Sequence, residues 1–205
     1  MNKYELTDET VTLEDGTVLH RIKALRYFDY VRAGDLGGYI EKEDNLSHEG
    51  NCWVFDDARV YGSAKVLGNA RVFGYAHVYG KAWVFDDAWV YGKAWVYDDA
   101  QVYGNAAVWG YAKVFGDAKV YGKAWVYGKA QVFRDAQVHG SAWVCDNAQV
   151  YDNAKVYDDA RVYGNAQVFE DAQVCDNALV YGSAQVCGYA WDVDRDWETD
   201  RKSVV

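Results

Sequence analysis

The sequence predicts an all-β protein, a three-sided parallel β-helix (β-solenoid), and two regularities carry this prediction. Valine stands at every sixth position from Val54 to Val186, and alanine keeps the same interval from Ala58 to Ala190. No residue is inserted or deleted between these limits. Such strict repetition is typical of a solenoid, because every turn must present the same interior to the turns beside it.

The first 39 residues lack the repeat, and we interpret residues 1–39 as an N-terminal cap that contains a β-hairpin. Two β-prone runs, residues 10–13 and 17–22, flank the turn signal Glu14-Asp15-Gly16. Residues 26–32 fit either a short helix or a bridging loop. An open solenoid end exposes a sheet edge and an apolar core, so a cap is needed to prevent end-to-end aggregation.

Residues 40–191 are predicted to form the solenoid, because Ile40, Leu46 and Cys52 are already six residues apart. Within each six-residue unit, the two-residue period of a strand points Ala and Val inward and a variable and an aromatic residue outward. Two corner residues follow, often Gly or Asp, which suit positive φ or local turns. Three sides give coils of about 18 residues, and about eight coils give a rod roughly 35–40 Å long whose interior has no room for a ligand.

The Val–x–x–Asn/Asp–Ala–x pattern resembles the hexapeptide repeat of the left-handed parallel β-helix superfamily, which includes many acyltransferases. The likeness extends over roughly residues 34–190, and it departs where an aromatic residue follows the valine. Residues 34–40 and 45–54 are similar to the entry segment of an uncharacterised bacterial branch that is labelled acetyltransferase from its fold alone. The resemblance implies a left-handed coil.

Composition narrows the expected location and partners. The net charge is −10 and the basic residues are scattered, which argues against nucleic acid. No leader and no apolar span of about 18 residues is visible, so we expect a cytoplasmic protein without a membrane helix. The four cysteines lack metal-type spacing, so we expect neither zinc nor another cofactor.

The histidines are the candidate general bases if the protein is an acyltransferase. His20 and His48 precede the regular repeats, whereas His77 and His139 take outward positions in the uninterrupted array. A general base needs a water-excluding pocket, and no loop is available here to build one. We therefore predict no catalytic residue. The alternative is an acetyl-CoA-dependent acyltransferase with a base among His48, His77 and His139.

One corner column is acidic, and we interpret it as a solvated ridge of turn-forming residues. Stacked carboxylates repel one another, so a bound divalent cation is a second interpretation, although we predict no metal site. The acidic residues are Asp98, Asp99, Asp117, Asp135, Asp152, Glu170 and Asp171.

Stacking the sequence every 18 residues sorts the outward positions into three walls, of which wall one is the most apolar. Wall one carries Trp53, Arg71, Trp89, Ala107, Trp125, Trp143, Arg161 and Leu179 in one column and Phe55, Phe73, Tyr91, Trp109, Tyr127, Cys145, Tyr163 and Tyr181 in the next. Such columns can stabilise the stack by ring stacking alone. An apolar face of this length also suits an interaction surface.

We predict a non-catalytic structural or interaction scaffold. The aromatic residues and Leu179 of wall one are its candidate interaction residues, for a homo-oligomer or for a protein or glycan partner. A carbohydrate-binding wall is a weaker alternative, because the sequence shows no polar clamp beside the rings.

Residues 192–205 break the repeat and are predicted to be an irregular tail. The last six residues can be encoded by GAT CGG AAG AGC GTC GTG before a TAG stop, which matches a common sequencing adapter. We interpret this tail as an assembly artefact and expect the native array to continue.

Overall fold

The computed structural model describes residues 2–188, which form β-strands wound into a solenoid behind an N-terminal cap. The cap holds the predicted hairpin, in which β1 (Tyr4–Thr12) and β2 (Val18–Ala24) pair antiparallel. Strand β3 (Leu36–Ile40) pairs antiparallel with β2 and parallel with Arg59–Val60, so it joins the hairpin to the solenoid. The interpreted tail, residues 192–205, lies outside the described residues.

The repeat strands are two residues long and form three parallel sheets that correspond to the three predicted walls. Wall one is the 8-stranded sheet of Trp53–Val54, Arg71–Val72, Trp89–Val90, Ala107–Val108, Trp125–Val126, Trp143–Val144, Arg161–Val162 and Leu179–Val180. Wall two continues from β3 through Arg59–Val60, His77–Val78, Trp95–Val96, Lys113–Val114, Gln131–Val132, Gln149–Val150, Gln167–Val168 and Gln185–Val186. Wall three holds Lys65–Val66, Trp83–Val84, Gln101–Val102, Lys119–Val120, Gln137–Val138, Lys155–Val156 and Gln173–Val174.

The core is the predicted pair of valine and alanine columns. The repeat valines from Val54 to Val168 and the repeat alanines from Ala58 to Ala172 are at most 1% exposed. Each outward residue donates its backbone N–H to the coil that follows, as Trp89 does to the Ala106 oxygen at 2.9 Å. The β-solenoid prediction is therefore confirmed.

The first coil is longer than the others. Ile40 pairs with Val60 and Leu46 with Val66, a spacing of 20 residues, whereas later strands pair at a spacing of 18. The extra residues lie between Leu46 and Trp53, which pairs with Arg71. Cys52 consequently shares the alanine column with Ala70, and its six-residue spacing from Leu46 does not place it in the valine column.

The cap is attached by buried polar groups as well as by apolar packing. The fully buried Lys3 amine donates to the backbone oxygen of Cys52 at 2.8 Å and to that of Glu49 at 3.4 Å. Burial lowers the pKa of Lys3. Residues 26–32 form a loop closed by an antiparallel bridge between Phe28 and Val31, and the short 3-10 helix Glu43–Asn45 follows β3.

The corners require left-handed backbone at the residue after each outward aromatic. Gly110 has φ +74°, and a Cβ there would lie 2.9 Å from the Gly128 oxygen. Aspartate also adopts this conformation, as at Asp98 with φ 58°. Its carboxylate accepts the backbone N–H of Gly116 in the next coil at 3.2 Å, a contact that offsets the conformational cost.

Two neighbouring alanines provide a test of the narrow interior. Ala106 points into the core and is 1% exposed, whereas Ala107 points outward on wall one and is half-buried. Ala106→Leu should lower the free energy of unfolding by about 1–3 kcal/mol because the packed column has no space for the larger side chain. Ala107→Leu should change it by less than about 0.5 kcal/mol. Urea denaturation of both variants checks this, and equal losses would contradict the inward and outward assignment.

Candidate interaction surface

The outward aromatics stack directly along the rod axis. On wall one, Tyr91 lies 4.7 Å from Phe73 and 5.5 Å from Trp109, and Trp109 lies 4.4 Å from Tyr127, with ring planes within 5° of parallel. The same ring ladders run along walls two and three, for example from Tyr61 to Tyr79 at 5.0 Å. The rings thus have the stacked geometry that the interpretation of a stabilising ladder requires.

The candidate histidines lie in three separate places. His139 is a member of the wall-three ring ladder, 4.7 Å from Tyr121 and 5.1 Å from Tyr157. His77 lies 5.3 Å from Trp95 on wall two. Burial lowers the pKa of both imidazoles, so both are neutral stacking groups near pH 7.

Of the other two histidines, His48 lies in the first coil and His20 lies in the cap. His48 stacks on Tyr4 at 4.3 Å, and its Nδ1 accepts the backbone N–H of Lys3 at 3.2 Å. His20 lies on β2, where its Nδ1 is 3.2 Å from the backbone oxygen of Thr7. The structure therefore brings none of the three candidate bases beside another.

Trp53 does not belong to the exposed part of wall one, so its prediction as an interaction residue is wrong. The side chain is 1% exposed and packs edge-on against Phe28 at 5.3 Å and Tyr4 at 6.0 Å. Both partners come from the cap, which folds back over the first coil. Trp53 is therefore part of the core between the cap and the solenoid.

Trp89 and Trp125 of wall one are exposed and stand in register with the half-buried Trp143. Trp89 pairs with Ala107, which in turn pairs with Trp125, and Trp125 stacks on Trp143 at 5.1 Å. Trp89 is 43% exposed and Trp125 is 40% exposed. Because Ala107 presents only a methyl group, a groove of about 510 Å³ opens over it between the two indoles. The Trp109 ring also lines this groove.

A polar rim borders the groove along one corner of the rod. It consists of Asn69, Asp87 and Asn105, one residue from each of three successive coils. The Asn69 side-chain amide donates to the Asp87 carboxylate at 3.0 Å. The outward positions of the sequence do not show this rim, because its three residues occupy corner positions beside wall one. Applying the same 18-residue spacing to the corners would have found it.

Toward its C-terminal end, wall one changes character at Cys145, which replaces a ring in the ladder. Tyr163 and Tyr181 resume the stacking beyond it at 5.4 Å. Leu179 follows Arg161 in the neighbouring column and is half-buried. These members of the predicted surface therefore lie apart from the groove over Ala107.

The acidic corner contains two columns. Asp98 and Asp152 lie in the first, where Asp152 forms an ion pair with Arg134. Asp99 and Asp117 belong to the second, which lines a polar groove of about 300 Å³. Within residues 2–188, no group of three or more His, Cys, Asp or Glu side chains is arranged to hold a metal ion. The same residues include no helix that is long and apolar enough to cross a membrane.

The fold defines a β-solenoid, and two comparisons with known proteins agree with it. Residues 154–170 and 172–188 match the family model described as the YdcK Beta solenoid repeat. The protein named "Uncharacterized acetyltransferase YdcK" from Escherichia coli (strain K12) is 42% identical over 72 residues. That match covers 31% of this chain and 22% of the relative's length. The predicted resemblance to a solenoid branch labelled acetyltransferase is confirmed.

The burial of Trp53 can be tested against an exposed tryptophan of the same column. Trp53→Ala should lower the free energy of unfolding by about 3–5 kcal/mol, because it leaves a cavity between the cap and the first coil. Trp125→Ala should cause a clearly smaller loss, since that ring is 40% exposed. Urea denaturation followed by circular dichroism measures both. A larger loss for Trp125→Ala would contradict the placement of Trp53 in the core.

The ring ladders should also make stability depend on pH in the alkaline range. Burial, together with a hydrogen bond to Cys145, raises the pKa of Tyr127 to about 12. A hydrogen bond to Cys175, together with burial, raises the pKa of Tyr157 to about 12. An unfolded tyrosine ionises near pH 10, so the folded state binds more protons between about pH 10 and 12. The stabilisation contributed by these two tyrosines should therefore be complete below about pH 10. The free energy of unfolding should fall as the pH rises through this range.

Tyrosinate absorbance and urea midpoints, both recorded between about pH 9 and 12, check this dependence. Replacing both Tyr127 and Tyr157 with phenylalanine should make the decline shallower. Full ionisation of the tyrosines near pH 10 in a protein that remains folded would contradict the raised pKa values.

Proposed function

We propose that the protein is a non-catalytic scaffold, a rigid β-solenoid whose wall one binds a protein partner or a second copy of the chain. The groove over Ala107, with exposed indoles on both sides, is the observation that carries this proposal. Exposed indoles are large apolar surfaces, and a contiguous group of them is a common sign of an interaction site. Trp89 and Trp125 provide that group.

The rest of the rod supports a scaffold role through its rigidity. Every coil is bonded to the next by backbone hydrogen bonds, and ring ladders run along all three walls. A surface built on such a frame loses little conformational entropy when it binds, which favours affinity. The candidate bases His77 and His139 serve as rings in this frame.

An acetyl-CoA-dependent acyltransferase is the second candidate, and the name of the Escherichia coli relative favours it. Acyl transfer would need a base with access to the acceptor. His139 is held between two tyrosine rings with a lowered pKa, so it is neutral and stacked but partly open to solvent. This is weaker support than the groove gives to the scaffold.

Calorimetry with acetyl-CoA separates the two candidates. The scaffold should release no binding heat with acetyl-CoA up to about 1 mM, an affinity limit near 4 kcal/mol. Acetyl-CoA binding would overturn the scaffold proposal and favour the enzyme. Weaker binding by His48→Gln, His77→Gln or His139→Gln, but not by the control His20→Gln, would show which candidate base lies beside the acyl donor.

Matched tryptophan variants test the assignment to wall one. Trp89→Ala and Trp125→Ala should weaken any self-association seen in sedimentation equilibrium, because both remove area beside the groove. Trp83→Ala and Trp95→Ala remove indoles of similar exposure from walls three and two and should leave association unchanged. Equal effects of all four variants would contradict wall one as the binding surface.

A further inference from the structure

The groove over Ala107 is as high as the space that one missing ring would fill in the column of stacked side chains. Trp89, Ala107 and Trp125 are paired in register on consecutive strands. Strands in a sheet lie about 4.8 Å apart, so the two indoles are separated by about 10 Å. A flat group placed midway would lie about 5 Å from each ring. That is the spacing of the ring ladder itself, since Trp125 and Trp143 are 5.1 Å apart with planes 8° from parallel.

The neighbouring positions of this column show which kind of side chain stacks on the indole rings. The guanidinium of Arg161 lies 4.3 Å from the Trp143 ring centroid, and that of Arg71 lies 5.5 Å from the Trp89 centroid. The chain thus places a planar cation against the indoles at both ends of the tryptophan column. Each of these contacts is a cation–π interaction, which extends to about 6 Å.

Cations also lie over the exposed tryptophans of the other two walls. Lys65 lies 5.7 Å from Trp83, and Lys113 lies 5.3 Å from Trp95. Among the large exposed tryptophans of residues 2–188, Trp125 is the one over which the chain places no lysine or arginine. Its two neighbours in the column are Trp143 and Ala107.

The charged side chains at the groove also favour a cation. Arg71 lines the groove as well, but its guanidinium is already paired with the Asp29 carboxylate at 2.6 Å. The Asp87 carboxylate stands in the rim between Asn69 and Asn105, and the chain has a net charge of −10. A guanidinium presents five N–H donors in one plane, so it can stack between the indoles while its edge donates to a carboxylate or an amide oxygen. An ammonium is compact and more strongly hydrated, and a sugar ring has no charge to offer Asp87.

We infer that the groove over Ala107 is a guanidinium-binding site that takes an arginine side chain from a basic segment of a partner protein. The guanidinium lies between the Trp89 and Trp125 rings over the Ala107 methyl group, with its N–H groups toward Asp87. This inference rests on the proposed role of wall one as a binding surface, and it gives the chemistry of the partner.

The test uses short Gly/Ser peptides that carry one central residue, either arginine, citrulline or lysine. Citrulline keeps the planar shape of arginine and removes its charge. Titration is followed through the indole N–H signals in nuclear magnetic resonance spectra of the full chain. The arginine peptide should bind about tenfold more tightly than the citrulline peptide and more tightly than the lysine peptide. Equal binding of the arginine and citrulline peptides would overturn the inference.

Variants locate the binding within the groove. Ala107→Trp should abolish peptide binding by filling the layer with the chain's own ring, whereas Leu179→Trp adds a ring to the same column outside the groove and should not. Asp87→Asn keeps the size of the rim residue and should weaken arginine binding about tenfold. It serves as the second measurement if Ala107→Trp does not fold. Unchanged binding by Asp87→Asn and Ala107→Trp would overturn the assignment.

Two further outcomes separate this inference from the proposals that precede it. Binding of cellohexaose at the groove, without binding of the arginine peptide, would overturn the guanidinium site and favour the carbohydrate-binding wall. Acetyl-CoA binding in the calorimetric experiment would overturn the scaffold function. Loss of the arginine preference without acetyl-CoA binding would overturn only the guanidinium site.

Discussion

The whole molecule depends on the narrow interior, which accepts one valine and one alanine from each side of every coil. These side chains are almost completely buried along most of the rod, so neither can grow without displacing its neighbours. A constant interior fixes the length of the coil at 18 residues. Residues one coil apart must then lie directly above one another on the outside as well. The ring ladders, the corner columns and the groove over Ala107 all follow from that single register.

Because the inward positions are committed to packing, chemical variety is confined to the outward and corner positions. Replacing one ring with a small side chain has a large local effect here, since the rings on either side cannot move together to close the space. Ala107 between Trp89 and Trp125 is such a replacement. Cys145 breaks the neighbouring column in the same way. A regular fold thus acquires a distinctive site by omitting a side chain, without adding a loop.

The sequence was sufficient to predict the solenoid, the three walls and the hairpin, because the spacing of Val54 and Ala58 repeats without interruption. The longer first coil was not predictable, because Leu46 and Cys52 keep the six-residue interval of the repeat. In the structure the segment between them is two residues longer than the matching segment of the next coil, so Cys52 takes an alanine position and not a valine position. The burial of Trp53 was also missed. Its cover comes from Tyr4 and Phe28, and a periodic pattern carries no information about a cap that folds back from outside the repeat.

The fixed rise of the coils also limits which backbone conformation of a partner chain can match the rod when that chain lies along its axis. Every coil advances about 4.8 Å, whereas an extended strand advances about 6.6 Å for each pair of residues. The two periods do not coincide at neighbouring coils, so a partner in a β conformation cannot place successive side chains in successive layers. A polyproline II segment advances about 9.3 Å in one turn of three residues, close to the height of two coils. A segment with that helical geometry matches the vertical scale of wall one, and a β-strand does not.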